Sequence, residues 1–465
     1  MSLRTVSQNR AIHLYRGLVL AGVIAACAYG ATASKGLQKS QAIPKRDSDV
    51  QAVVGAISPA PMEKTVRALA AFPTRHTLSG AAGVDAAAAY LAEQFAAISA
   101  ANGSRLTIEK DTWTQPAGVR MPEAHALTNV IATLPGTETP ERVVIVSGHY
   151  DSRVTDVMNT TGHAPGANDD ASGVAVVLEL ARVMAGHRYP CTVIFAAVTG
   201  EEQGLYGSTH LAETMAAAKR NIVGMVSNDI VGNSHGEGGR RDDRRIRVFS
   251  AGYDPTETAP DAVRRRAAGT DADTPARTLA RAVADAAHRY VRGFSADLVY
   301  RNDRYGRGGD HTPFMQRGYA AVRLTEPNED WRHQHQDLRV ENGVQFGDLP
   351  EYVDYPYLSR VAQVDAAIIA ELASAPPAPT DVTIQPDLSP QTTLSWTVPT
   401  GAVACEVLWR RTTDAEWKGG RLLPAAETTV TLPLSKDGYL FAVRALSSTG
   451  ARGLPALPVA GRTAK

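Results

Sequence analysis

The sequence predicts a three-layer α/β domain with a mostly parallel sheet, followed by a small all-β sandwich. Three observations carry this. Val143 to Ser147 and Cys191 to Val198 are unbroken β-branched and apolar runs, the composition of strands buried on both faces of a parallel sheet. Residues 171–185 and 205–218 read as helices, and strands alternating with helices of this length build parallel α/β sheets. Near the C-terminus, Val382, Ile384, Leu394, Trp396, Val407 and Trp409 alternate with polar residues, the period of half-buried sandwich strands.

Taken in order, residues 1–33 have the layout of a secretory signal: Arg4, Arg10 and Arg16, an apolar stretch from Gly17 to Ala26, then small residues ending in Ala31-Thr32-Ala33. About ten strongly apolar residues are too few to span a bilayer comfortably, so export is expected rather than a membrane anchor helix. Ile24-Ala25-Ala26-Cys27 also resembles the bacterial lipobox, and the second reading makes Cys27 the lipidated first residue of the mature chain. Together these place the protein outside the cytoplasm of a bacterium, as a periplasmic, secreted or membrane-anchored lipoprotein. No other segment is apolar enough to be transmembrane.

A polar lead covers 34–56, and the α/β pattern runs over 57–374, beginning with an Ala-rich helix at Val84 to Ala100. Two insertions interrupt it, 234–245 and 254–275, rich in Gly, Asp, Arg, Thr and Pro. Mobile or solvated surface is the expectation for both. Ala375-Pro376-Pro377-Ala378-Pro379 should be a short, stiff linker. Residues 380–462 resemble a fibronectin type III domain, with Trp396 and Tyr439 where that family buries its aromatic pair.

The chain has 465 residues, 44% of them hydrophobic, enough for a large core. Lys+Arg and Asp+Glu both number 48, so no global field draws it to nucleic acid. Its three cysteines, Cys27, Cys191 and Cys405, are no disulfide framework.

Chemistry concentrates where strands should end. His149-Tyr150-Asp151, Asn168-Asp169-Asp170, Glu201-Glu202, Asn228-Asp229 and His333-Gln334-His335-Gln336-Asp337 gather carboxylates and imidazoles in the way two adjacent metal ions require. His149 and Asp151, two apart, emerge on one strand face, so the carboxylate can orient a ligating ring. Asp169 and Asp170 precede a helix, where one can cap it and leave the other for metal. Glu201 and Glu202 can share a site only if Thr199-Gly200 ends the strand. One can then ligate while the other handles protons. Taken singly, a strand-end His is usually structural, a Glu-Glu pair usually serves a helix dipole, and Asn228-Asp229 is usually a turn.

Five such segments in this order resemble the M28 family of zinc aminopeptidases, over about residues 57–374. The matching stretches are 148–152, 166–173, 200–205, Asn228-Asp229 and the closing His motif. The resemblance implies two Zn2+ ions bridged by Asp169, one completed by His149 and Asp229, the other by Glu202 and His333. It implies Glu201 as general base, Asp151 as the partner of His149, and a cis bond between Asp169 and Asp170. His333 is favoured over His335 and His311 because family members carry the ligand four residues before an Asp, here Asp337. Many relatives have a Tyr just before that His; this chain has Arg332, and Tyr305 is the other candidate for steadying an oxyanion.

The function expected is zinc-dependent exopeptidase, an aminopeptidase acting on peptides. An M28-type carboxypeptidase and a glutaminyl cyclase are the alternatives, with a non-catalytic binding protein behind them. His-Glu-x-x-His, Gly-x-Ser-x-Gly, P-loop and dinucleotide motifs are all absent.

Overall fold

The protein is described by a computed structural model over residues 46–460. The expected signal at 1–33, Cys27 included, lies outside the described residues. The main sheet has eight strands: β1 (Thr107–Gln115), β2 (His125–Leu134), β3 (Thr139–His149), β4 (Cys191–Val198), β5 (Asn221–Asn228), β6 (Arg245–Phe249), β7 (Ser295–Val299) and β8 (Ala321–Thr325). Their order is β1-β2-β4-β3-β5-β8-β6-β7. The central strands β4, β3, β5 and β8 are parallel; β1, β2 and β6 join antiparallel.

β4 shows why the sheet is three layers deep. All eight of its residues are buried. Val193, Phe195 and Ala197 pack into the core that contains the helices Val84–Ala101, Ala171–Met184 and Tyr355–Ser374. Ile194, Ala196 and Val198 pack into the opposite core with the helices Tyr206–Ala217 and Thr312–Met315. Strand alternation sends successive side chains to opposite faces, so an unbroken apolar run needs helices on both. The chain passes from β3 to β4 on one side and then to β5 on the other. That reversal opens a crevice at the carboxyl end of β3, the usual ligand position in such sheets.

Close backbone approach tightens the crevice. A Cβ at Gly148 would lie 2.6 Å from the carbonyl carbon of Gly173, and one at Gly173 would lie 2.5 Å from the carbonyl oxygen of Asn228. Neither position admits a side chain. Gly148→Ala is expected to lower stability by about 1–3 kcal/mol, the usual range for overpacking; an unchanged calorimetric midpoint would contradict this packing.

The polar lead is structured at its end: Ser48–Gly55 is a helix capped by Asp47, whose Oδ1 accepts from the backbone N–H of Asp49 at 2.8 Å. Val50, Val53 and Val54, at helical spacing, bury into the core. The second insertion contains the helix Ala259–Ala267, none of whose residues is buried, but Asp273 and Thr274 are buried at its end. Solvated surface therefore describes only its first part.

A short hairpin, β9 (Arg339–Glu341) with β10 (Val344–Phe346), precedes the last helix of the α/β part. Seven further strands follow: β11 (Thr380–Ile384), β12 (Thr392–Thr397), β13 (Ala404–Arg411), β14 (Gly419–Pro424), β15 (Thr429–Leu432), β16 (Tyr439–Leu446) and β17 (Val459–Ala460). They form two sheets, β15-β12-β11-β17 and β14-β13-β16, as expected of a sandwich. Trp396 is buried and Tyr439 half-buried.

The α/β part and the sandwich belong to one compact unit. The proline-rich junction is no free spacer, because Ala375, Pro376 and Pro379 are buried and Arg142 Nη1 donates to the Ala375 carbonyl at 2.8 Å. Asp273 joins the two parts: Arg410 of β13 donates to its Oδ1 and Oδ2 at 2.9 and 2.8 Å, and Arg281 Nη2 stands 2.9 Å from Oδ1. All three side chains are at most 3% exposed.

Candidate metal centre

Each segment singled out in the sequence ends at the crevice. His149 closes β3, and Asp229 follows β5 directly. Glu201 and Glu202 follow β4 by a turn in which Gly200 takes φ 71°, outside the comfortable range of residues with a Cβ. The turn breaks strand alternation, so both glutamates reach one place. Asp170 caps the helix Ala171–Met184, accepting from Gly173 N–H at 3.0 Å, and its Oδ2 accepts from His149 N–H at 3.0 Å. Asp169 is thereby left for the crevice, and the Asp169–Asp170 bond is cis.

Two sets of ligand-type atoms converge, His149 with Glu201 and Asp229, and Asp169 with Glu202 and His335; within each set the atoms lie inside 4.8 Å of one another. Asp169 faces both: Oδ1 is 3.2 Å from His149 Nε2 and Oδ2 is 2.9 Å from His335 Nε2. Glu202 Oε1 is also 2.9 Å from His335 Nε2, and Asp229 Oδ1 is 3.8 Å from His149 Nε2. Despite this crowding, His149 Nε2 and Glu202 Oε1 are buried without a hydrogen-bond partner among the described residues. Buried polar atoms are nearly always satisfied. Converging imidazole and carboxylate atoms, some of them left without a partner, fit a borderline dication such as zinc.

The surroundings hold the set in place. Asp151 does more than orient one ring. Its carbonyl oxygen is 3.2 Å from His149 Nδ1 and its Oδ1 3.6 Å. Its carboxylate also accepts from Thr77 Oγ1 and from the N–H groups of Glu201 and Glu202 at 2.9, 3.4 and 3.2 Å. Asp348 accepts from the N–H groups of Asn168 and Asp169 at 2.9 and 2.7 Å. Buried Arg75 clamps Tyr150, Pro165 and Gly166 through their carbonyls at 2.6–2.9 Å. Arg323 Nη2, from β8, lies 2.8 Å from Asp229 Oδ1.

Charge states follow from this packing. Burial alone would discharge His149, yet Asp151, Asp169 and Asp229 hold it well above the ordinary imidazole value. Burial likewise opposes charge on Asp169, and His335 and His149 hold it well below the usual carboxylate range. Glu201 goes the other way: burial, reinforced by Asp229, Glu202 and Asp310, pushes its carboxyl well up. A carboxylate raised in this manner suits proton transfer.

The structure brings His149, Asp151, Asp169, Glu201, Glu202 and Asp229 together, but it does not bring His333. That ring stacks on Tyr352 at 3.7 Å, and its Nδ1 meets the Gly347 carbonyl oxygen at 3.1 Å. His335 takes the expected place, because a left-handed backbone at φ 55° turns its ring inward. His311 is buried, with Nε2 2.8 Å from the Asn302 carbonyl oxygen. Tyr305 is 89% exposed, and Arg332 pairs with Asp330; neither lines the pocket over the centre.

That pocket, about 330 Å³, is lined by four arginines the sequence reading passed over: Arg120, Arg153, Arg304 and Arg307. Arg153 lies across one cluster, its Nε 2.9 Å from Glu202 Oε2 and its Nη2 2.6 Å from His335 Nδ1. The density of Arg and Gly in 301–309, just before Asp310-His311, was the available signal.

A mixed α/β sheet with a carboxylate and imidazole centre at its topological reversal is the framework of a metal-binding enzyme site. Comparison with known proteins makes this specific. The model of peptidase family M28 matches residues 129–341. A probable zinc metalloprotease of Leptosphaeria maculans is 44% identical over 426 residues, covering 90% of this chain and 98% of its own. Six further probable zinc metalloproteases, at 36–43% identity, also come from fungi. The chain belongs to peptidase family M28, as a zinc metallopeptidase. Among solved structures, the Legionella pneumophila LapA aminopeptidase aligns with TM-score 0.52 at 18% identity, over 71% of this chain and 75% of its own. A glutaminyl cyclase from Macrostomum lignano gives 0.50 at 17%, over 71% and 94%. At such identities the likeness is one of fold. The fungal relatives overturn the bacterial setting expected from the sequence, and the lipobox reading of Cys27 presupposed a bacterial cell.

Proposed function

We propose that the chain is an aminopeptidase that removes N-terminal residues from peptides and holds two zinc ions. The observation that best supports this is Asp169, whose two oxygens face separate sets of ligand atoms at 3.2 and 2.9 Å. His149, Asp229 and Asp169 would hold one ion; Asp169, Glu202 and His335 the other. When bound, zinc supplies Lewis acidity and lowers the pKa of water.

The remaining work falls to the chain. Glu201 accepts the proton of the attacking water and returns it to the leaving amine, a role that its place beside His149 and Asp229 suits. Asp151 fixes the His149 ring and, through two backbone N–H groups, the glutamate turn. A cyclase needs only one metal, so the doubled ligand set favours hydrolysis.

A second reading, carboxypeptidase, draws on the arginines above the centre. Matched free-amine and N-acetylated aminoacyl anilides, assayed before and after chelation and zinc restoration, separate the two. Cleavage of the free-amine set alone, lost with chelator and regained with zinc, is the expected result. Inert anilides alongside cleaved N-acetyl dipeptides would transfer the assignment to a carboxypeptidase.

A further inference from the structure

The four arginines over the centre are not equivalent. Arg153 is tied to Glu202 at 2.9 Å, and Arg304 to Glu329 at 2.7 Å and Asp303 at 3.4 Å. Arg120 and Arg307 have no carboxylate within ion-pair distance among the described residues. Arg120 spends one donor on the Glu202 carbonyl at 2.9 Å, and the Arg307 guanidinium rests 5.6 Å from the Trp331 ring centre. Both are exposed at the mouth. Below them, Asp169, Glu201, Glu202 and Asp229 line the same pocket. The Arg120 and Arg307 guanidinium groups therefore line the pocket with donors not spent on a carboxylate.

We propose that Arg120 and Arg307 form a carboxylate-recognising subsite, so that the peptidase prefers substrates that place a carboxylate at the pocket mouth. The inference rests on the peptidase reading and adds a substrate class to it. Guanidinium pairs with carboxylate through two parallel hydrogen bonds, a geometry no amide reproduces. At about 330 Å³ the pocket is at the small end for ligand sites. Two sources could supply the carboxylate, a short peptide's own C-terminus or an acidic side chain beside the scissile bond.

The test uses the zinc-loaded full chain and four peptides: Leu-Ala, Leu-Ala amide, Leu-Asp amide and Leu-Asn amide. A main-chain source predicts kcat/KM about tenfold higher for Leu-Ala than for its amide, the worth of one charged hydrogen bond. A side-chain source predicts the same advantage for Leu-Asp amide over Leu-Asn amide. Either ratio should shrink with added salt, since the groups are exposed, and fall towards one in the Arg120→Met/Arg307→Met double variant. Ratios near one in the wild type, or a ratio that survives both substitutions, would overturn the subsite. If none of the four peptides is cleaved, the aminopeptidase reading fails separately. Glutarate binding by calorimetry then decides the subsite: at least tenfold weaker binding by the double variant supports it, and equal binding overturns it.

Discussion

Glu201→Gln should lower kcat about 10²- to 10⁴-fold, the range that general-base catalysis contributes, while zinc content stays at the wild-type level. The glutamine keeps the shape and loses only the proton acceptor. Glu201 sits with His149 and Asp229 inside one cluster, at a turn that Asp151 holds through backbone N–H groups. Burial and like charge raise its pKa, whereas Asp169 and Asp229 of the same pocket are held low. Side-by-side measurement of kcat and bound zinc checks this. A variant with more than half the wild-type kcat would remove Glu201 from the proposed role.

Asp273→Ala should cost about 3–5 kcal/mol of stability, because it leaves Arg281 and Arg410 as buried cations without their shared carboxylate. Both guanidinium groups are nearly inaccessible to water, so solvent cannot replace the lost partner. The substitution lies where the second insertion meets β13 of the sandwich, and Arg281 Nε also donates to the Ala415 carbonyl at 2.7 Å. The C-terminal strands are therefore expected to act as structural support for the α/β part. Calorimetry of the full chain would show a large drop in midpoint; a drop of under one degree would mean the two parts fold independently of this contact.

The central strands were legible because burial on both faces leaves an unbroken apolar run, as in Cys191–Val198, which is β4 to the residue. Five of the six clustered ligand-type residues and Asp151 were legible for a related reason: each stands at a strand end or helix start, where sequence order and position in the sheet coincide. His335 was not. Two histidines two residues apart in a loop differ only in backbone φ and in whether Tyr352 captures one ring, and both are tertiary facts. Asp348, Arg75 and Arg323 hold the centre from distant segments with no spacing to mark them. The helix Ser48–Gly55 hid inside a polar segment, although Val50, Val53 and Val54 have helical spacing. The proline-rich junction read as a linker by composition, while its burial depends on the sandwich packed beside it.

The central proposal is that Asp169 would help hold two zinc ions, with His335 as a ligand of the second. Zinc per chain, measured by mass spectrometry of metals after dialysis, tests it in the wild type, His335→Ala and His333→Ala. Two zincs in the wild type and in His333→Ala, with one or fewer in His335→Ala, is the expected result. A single zinc in the wild type, or loss of metal from His333→Ala with His335→Ala unaffected, would contradict it.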